Sequence, residues 1–273
     1  FWEKVWRTAA APKVDEGEIQ RRVAEAKRLF ETVSRPNVMI KVPATKEGLP
    51  AIAELIGCGV NVNVTLIFGL QNYKAVADAY QAGLEQLAAD GPGVKGGHAI
   101  DRVASVASFF VSRVDTAVDK ELEKIDHTDL FGKIAVANSK IAYAEYNKII
   151  QQPRWQQLAA QGAQVQRVLW ASTSTKNPAY PDNLYVDELI GPDTVNTLPP
   201  ATLDSFLDHG RVAKTLTRGL EEAQGQVAQL ADLGIDLDAI TQKLQNDGVV
   251  AFAKPFAKLL ESIAEKCRQL KAA

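Results

Sequence analysis

The sequence predicts an α/β fold with a parallel sheet in one domain, and three observations carry that expectation. Short β-branched runs alternate with longer segments of helical periodicity, as over 16–33 before 37–43 and over 70–87 before 103–111. Helical segments flank each run on both sides, which covers both faces of the strands and makes their pairing parallel. The 273 residues, 46% hydrophobic and 23% charged, suffice for one large core, and no repeat, low-complexity tract or Pro/Ser linker divides them. Charge then bounds the partners. A formal net charge of −2 and a pI near 6.0 argue against a nucleic-acid footprint or a membrane-surface patch, and no apolar run reaches membrane-spanning length. Cys58 and Cys267 lie far apart and form neither a disulfide framework nor a metal spacing, so a reducing, cytoplasmic setting and a small-molecule partner are expected.

The elements follow in order. Residues 1–14 carry Trp2, Lys4, Trp6 and Arg7 and an Ala-rich stretch ending at Pro12; no strand alternation assigns them. Over 16–33, Ile19, Val23, Ala26 and Phe30 recur at helical spacing among charges, an amphipathic helix. It feeds Asn37-Val38-Met39-Ile40-Lys41-Val42-Pro43, a short, partly β-branched run between Pro36 and Pro43 that reads as a buried strand. Lys41 is the anomaly in it. Either its stem snorkels from an edge strand to water, or it is a desolvated amine kept partly neutral for attack on a carbonyl.

A helix over 46–56 ends at Gly57 and Gly59. The run over 60–68 then alternates strictly, with valines on one face and Asn61, Asn63 and Thr65 on the other. In a sheet covered on both sides, such a polar face has to line a site. Residues 70–87 are helical, and the glycine-rich stretch 91–97 follows that helix rather than a strand, so it reads as a surface connection and not a phosphate cradle. A strand over 103–111, with Ser105, Ser108, Phe109 and Phe110, hands over at Ser112-Arg113 to a helix reaching about residue 125. Free backbone N–H groups, the positive helix end and a guanidinium meet there, which is an anion site. Helices over 132–150 and 154–161, a strand over 165–172 with the polar loop 173–177, and a short strand over 193–198 come next, with Pro199-Pro200 opening a helix. The remainder, 212–270, is helical and packs through apolar positions over 235–244 and 249–267.

Polar side chains thus gather near the C-terminal ends of successive strands: Lys41, then Asn63 and Thr65, then Ser108 with Arg113, then Ser172 with Lys176. Barrels and open α/β sheets alike build their sites at that edge. Two cations for a phosphate, amides and hydroxyls for a polyol, and one lysine among apolar neighbours describe a phosphosugar aldolase whose iminium is the electron sink. His98, His127 and His209 lie in or near connecting segments with no Cys, Asp or Glu at ligand spacing; they read as solvated, and no metal is expected. Nucleophile-elbow, Walker and dinucleotide signatures are absent from the sequence.

The stretches 37–48, 60–68, 103–119, 169–180 and 185–198 resemble the transaldolase family, in its longer bacterial form. Ile-Lys-Val-Pro-Ala-Thr, Asn-Val-Asn-Val-Thr-Leu and Trp-Ala-Ser-Thr-Ser-Thr-Lys-Asn occur in the family's order, and the resemblance runs from about residue 19 to the C-terminus. It implies a TIM (β/α)8 barrel of the class I aldolase type. It also implies transfer of a dihydroxyacetone unit between ketose and aldose phosphates through a lysine Schiff base, in the pentose phosphate pathway, with no metal or organic cofactor. The implied partners are sedoheptulose 7-phosphate, fructose 6-phosphate, erythrose 4-phosphate and glyceraldehyde 3-phosphate. By position, the Schiff-base lysine falls on Lys41 and the threonine that holds the catalytic water on Thr65. Substrate contacts fall on Asn63, Ser108, Phe110, Arg113 and Ser172, with Lys176 standing where short transaldolases carry a nearby arginine.

The same resemblance puts Lys41 on a fourth strand, after strands bearing an acid/base aspartate, an asparagine and a glutamate. Only one helix precedes Lys41 here, so the chain is expected to be an N-terminally incomplete member. About three βα units would be missing, with residues 1–15 unassigned, βα units over 16–210 and a helical tail over 211–273, all one domain. Two alternatives accompany the enzyme reading: a catalytically incomplete fragment or partner-completed half-barrel, and another Schiff-base phosphosugar aldolase.

Overall fold

A computed structural model describes residues 16–90 and 98–272. Its centre is a parallel sheet of five strands in sequence order: β1 (Ile40–Pro43), β2 (Val62–Ile67), β3 (Ser105–Phe110), β4 (Arg167–Ala171) and β5 (Thr194–Asn196). Sequential parallel order needs a crossover between every pair of strands, and helices provide most of it. The helix α1 (Glu16–Val33) precedes β1, α2 (Gly48–Gly57) leads to β2, and α3 (Leu70–Asp90) leads towards β3. Between β3 and β4 come α4 (Ser112–Glu123), α5 (Ile134–Gln151) and α6 (Pro153–Ala159). The single turn α7 (Leu184–Asp187) precedes β5, and α8 (Pro200–His209), α9 (Leu220–Asp232) and α10 (Leu237–Ala272) follow it. This is an arc of an α/β barrel with a helical C-terminal tail, and among the described residues β1 and β5 are its edges.

Register sorts the strand residues onto two faces. Lys41 pairs with Asn63, Pro43 with Thr65, Asn63 with Val106, Ser108 with Leu169 and Phe110 with Ala171. These share one face. Ile40, Val42, Val62, Val64, Ala107, Phe109, Val168 and Trp170 occupy the other, buried face. There Phe109 meets Trp170 and the α3 residue Tyr73 edge-on, with ring centroids 6.1 and 6.3 Å apart. The apolar face thus holds the helices, and the mixed face is left for chemistry.

The expected alternation of β2 breaks at one residue. Leu66 has φ 64°, and the β2–β3 register shifts between Val64 and Ile67, so that Ile67 pairs with Phe109. This is a bulge: two residues of β2, Thr65 and Leu66, stand against Ser108 alone. It turns Ile67 to the apolar face and Phe68 to the mixed one, where Phe68 lies 5.0 Å from Phe110.

The amphipathic stripe of Val23, Ala26 and Phe30 is buried as its spacing requires, and α1 spans the predicted residues. The strands end within the β-branched runs the sequence marked, although Val111 N–H, just past β3, still donates to Ala171 O at 2.9 Å and Ala44 N–H, just past β1, to Thr65 O at 2.8 Å. The turn at Ile100–Arg102 and α7 carry no sequence period long enough to read. The two apolar segments of the tail form one helix, α10, which passes through Gly248. A side chain there would meet Leu66, since an ideal Cβ stands 2.9 Å from Leu66 Cδ2. The unassigned residues 1–14 and the glycine-rich stretch 91–97 lie outside the described residues.

Candidate active site

The mixed face carries Lys41, Asn63, Thr65, Ser108 and Phe110 together, because each stands at the same parity in adjacent, registered strands. Lys41 is half-buried, and that burial pulls its ammonium below the ordinary lysine range. A cavity of about 30 Å³, room for roughly one water, adjoins it between Thr45 and Glu47 and the α1 residues Ile19, Arg22 and Val23. In register beside Lys41, Asn63 accepts a hydrogen bond from Ser108 Oγ at 2.8 Å, which fixes its amide oxygen. Thr65 is fully buried, yet its Oγ1 has no hydrogen-bond partner. A buried hydroxyl without a partner is costly unless water or a ligand satisfies it.

At the end of β3, Phe110 carries the Arg113 guanidinium over its ring, 5.4 Å from the centroid. Ser172, at φ 58° after β4, is drawn to the same place: its hydroxyl lies 2.9 Å from Ser112 Oγ, and its carbonyl accepts the Ser112 N–H at 3.0 Å. That last bond narrows the expectation of free N–H groups at the start of α4. Ser112 N–H is committed to Ser172 and Val114 N–H to Val111, which leaves Arg113, by its backbone N–H and its guanidinium, as the donor placed for an anion there. None of the five strands contains an Asp or Glu.

Two expectations change, for Asn61 and for His98. Asn61, grouped by alternation with Asn63 and Thr65, is a staple: buried, it donates to Pro36 O and Val38 O at 3.1 and 3.2 Å and accepts Ala104 N–H at 2.9 Å. It precedes the first ladder pair of β2, where it takes up backbone groups from the chain entering β1 and β3. Lys176 is exposed and bonded to Ser174 Oγ at 2.6 Å. It lines a cavity of about 250 Å³ with Asp115, Asp119, Tyr180 and Tyr185, along α4. His98 is not solvated, since its Nε2 is buried without a partner and its ring meets Phe30 edge-on at 5.4 Å. No group of His, Cys, Asp and Glu suited to a metal occurs among the described residues.

In that cavity along α4, Asp115 accepts Ala135 N–H at 2.7 Å and Tyr185 O–H at 2.8 Å, and Asp119 accepts Tyr180 O–H at 2.6 Å. Burial outweighs these bonds and pushes the Asp115 carboxyl up to about 7. The two tyrosines tie the segment after Ser172 to α4, the helix that presents Arg113.

A family model described as Transaldolase/Fructose-6-phosphate aldolase matches residues 13–263. The chain belongs to that family. A transaldolase from Parafrankia sp. (strain EAN1pec) is 51% identical over 253 residues, covering 91% of this chain and 67% of that protein. A transaldolase from Trichodesmium erythraeum (strain IMS101) is 47% identical over 261 residues, with 91% and 67% covered. Transaldolase 1 of Streptomyces avermitilis is 50% identical over 250 residues, with 90% and 65% covered. The chain therefore spans about two thirds of the length of the relatives it matches, at an identity that makes it a transaldolase-type enzyme, a transferase of the aldehyde/ketone class. For this family the parallel arc with Lys41 on its mixed face is part of a TIM barrel. No helix among the described residues is long and apolar enough to cross a membrane.

Proposed function

We propose that this transaldolase-type chain forms a Schiff base through Lys41 and passes a dihydroxyacetone unit from a ketose phosphate to an aldose phosphate. One observation carries the reading: a half-buried lysine, lowered in pKa by its burial, lies in register beside the Asn63–Ser108 pair and on the same face as the unpartnered hydroxyl of Thr65. Burial raises the fraction of neutral amine, which attacks the ketose carbonyl. Loss of water from the carbinolamine gives the iminium, and Thr65 Oγ1 holds the water that exchanges protons at this step. Removal of the C4 hydroxyl proton then breaks the C3–C4 bond, releases an aldose phosphate and leaves the three-carbon enamine on Lys41. Its addition to an acceptor aldehyde and hydrolysis of the new iminium close the cycle. Asn63 and Ser108 bind substrate hydroxyls, Phe110 and Ser172 line the pocket, and Arg113 takes the phosphate with its forked donors. Lys176, which lines the neighbouring cavity along α4, is proposed as the second cation for the phosphate.

The substrates proposed are fructose 6-phosphate and sedoheptulose 7-phosphate as donors, and erythrose 4-phosphate and glyceraldehyde 3-phosphate as acceptors. The setting proposed is the cytoplasm, in keeping with free Cys58 and Cys267. A second reading has a specific basis: with no carboxylate on the five strands, the C4 proton has no acceptor on them. The chain would then form the iminium and turn over slowly, by on the order of 10²–10⁴ if a general base is wanting. Intact mass after borohydride reduction with fructose 6-phosphate, read beside a coupled transfer assay, tests both. An adduct on Lys41 with transfer supports the enzyme, and an adduct without transfer supports the second reading. Release of free dihydroxyacetone instead of transfer would mark an aldolase, and no adduct would remove Lys41 from the site.

A further inference from the structure

We infer that Gln245, on the C-terminal helix α10, is a positioning residue for the proposed site: it holds the Leu66 bulge of β2 and thereby sets where Thr65 and Phe68 stand relative to Lys41. The inference rests on the Lys41 reading above.

Gln245 is buried, and its amide nitrogen lies 3.0 Å from Leu66 O, 2.9 Å from Ala44 O and 2.9 Å from Asn72 Oδ1. Three acceptors share its two hydrogens. Asn72 also donates to Ala44 O at 2.6 Å, and Ala44 N–H donates to Thr65 O at 2.8 Å. The contacts close a ring around the ends of β1 and β2, from the residue after Lys41's strand, through Thr65, to the bulge. A bulged residue loses its ladder partner, and a buried carbonyl needs another one. Gln245 supplies it across 179 residues of sequence.

Leu66 needs support for a second reason. It is fully buried at φ 64°, a conformation that a leucine keeps only where its surroundings hold it. The same helix provides both supports. Gln245 takes the Leu66 carbonyl, and Gly248, three residues on, leaves room for its side chain. Without the bulge, strict alternation would turn Ile67 to the mixed face and Phe68 to the helices. Phe68 would then lose Phe110, the ring that carries Arg113. One glutamine therefore bears on both the Thr65 hydroxyl and the phosphate end of the face.

The test uses the whole chain with Gln245→Leu, which removes the amide at similar volume, and Gly248→Ala, which presses a methyl on Leu66 while favouring the helix. Amide hydrogen exchange is followed at 64–68 and, as a control, at 168–171. The rate of borohydride-trapped adduct formation with fructose 6-phosphate is measured alone and in a Thr65→Val background. Exchange is expected to quicken at 64–68 only. The adduct rate of Gln245→Leu should fall on the order of tenfold to a hundredfold, with its pH midpoint unmoved. That fall should shrink in Thr65→Val, because part of the path runs through Thr65 and the rest through Phe68 and Phe110. Gly248→Ala should move both readouts the same way by less, and it decides the matter if Gln245→Leu does not fold. Unchanged exchange at 64–68 overturns the inference, as does an equal rate loss with and without the Thr65 hydroxyl. If the unsubstituted chain forms no adduct, the Lys41 reading falls, and the exchange arm still decides whether Gln245 holds the bulge.

Discussion

Asn61 and Asn63 stand two residues apart at the same strand parity, and the same substitution should separate them. Asn61→Asp keeps the acceptor for Ala104 N–H but replaces two donors with a carboxylate oxygen facing Pro36 O and Val38 O. The group is 1% exposed. Two lost hydrogen bonds cost about 1 kcal/mol each. A carboxylate in that place must either stay charged among carbonyls or bind a proton, and a pKa raised by even two units adds about 2.7 kcal/mol at neutral pH. The sum is about 3–5 kcal/mol, a large share of the roughly 5–15 kcal/mol that holds a typical domain.

Asn63→Asp keeps the acceptor for Ser108 Oγ, is half-buried, and sets its charge in register beside Lys41. It should change stability by no more than about 1 kcal/mol while altering adduct formation. Urea denaturation of both variants at pH 7.5 and pH 5 is the assay. For Asn61→Asp the folded-state carboxyl pKa lies above its unfolded value, so the penalty should shrink at pH 5, where the native state binds the proton. Midpoints for the two variants that coincide, or a larger Asn61→Asp penalty at pH 5 than at pH 7.5, would refute the division into staple and site.

Three further outcomes follow from the same contacts. Thr65→Val removes a buried hydroxyl that has no protein partner, so thermal stability should hold or rise by up to about 1 kcal/mol while the trapped adduct forms more slowly; a clear loss of stability would mean the hydroxyl is bonded within the fold. Adduct formation should rise with pH through a midpoint below the ordinary lysine value of about 10.4, because burial lowers Lys41 and the neutral amine is the nucleophile; a midpoint at or above that value contradicts the desolvated site. Asp115, raised to about 7, should cost stability as pH climbs from about 4 to 7, near 1.4 kcal/mol per unit, since the unfolded carboxyl ionises first. Asp115→Asn should flatten that slope in pH-dependent urea titrations, and an unchanged slope would place the proton elsewhere.

Much of the fold was legible because it rests on local periods. The stripe of Val23, Ala26 and Phe30 marks α1, and the flanking of short β-branched runs by helices implies parallel pairing. The mixed face was legible for a related reason: Lys41, Asn63, Thr65, Ser108 and Phe110 are polar or aromatic at alternate positions, and registered strands carry that parity from one to the next. Parity cannot say where a ladder begins, so it could not tell Asn61 from Asn63. The difference lies in backbone groups of residues 36, 38 and 104, which reach Asn61 only once the chain is folded.

The bulge shows why the remainder was hidden. Glycine is the residue whose presence announces a left-handed backbone, and here a leucine adopts it, so the sequence around Leu66 reads as an unbroken strand. What makes a leucine tolerable there is distant: a glutamine for its carbonyl and a glycine for its side chain, both on a helix that begins at Leu237. Read locally, Gly248 is only a weak helix position, and Gln245 only a polar residue on an amphipathic helix. Their contribution becomes visible when the two strand ends they join are seen to carry the proposed nucleophile and the unpartnered hydroxyl. The tail does more than cover apolar surface, for it fixes the conformation of the strand that bears Thr65.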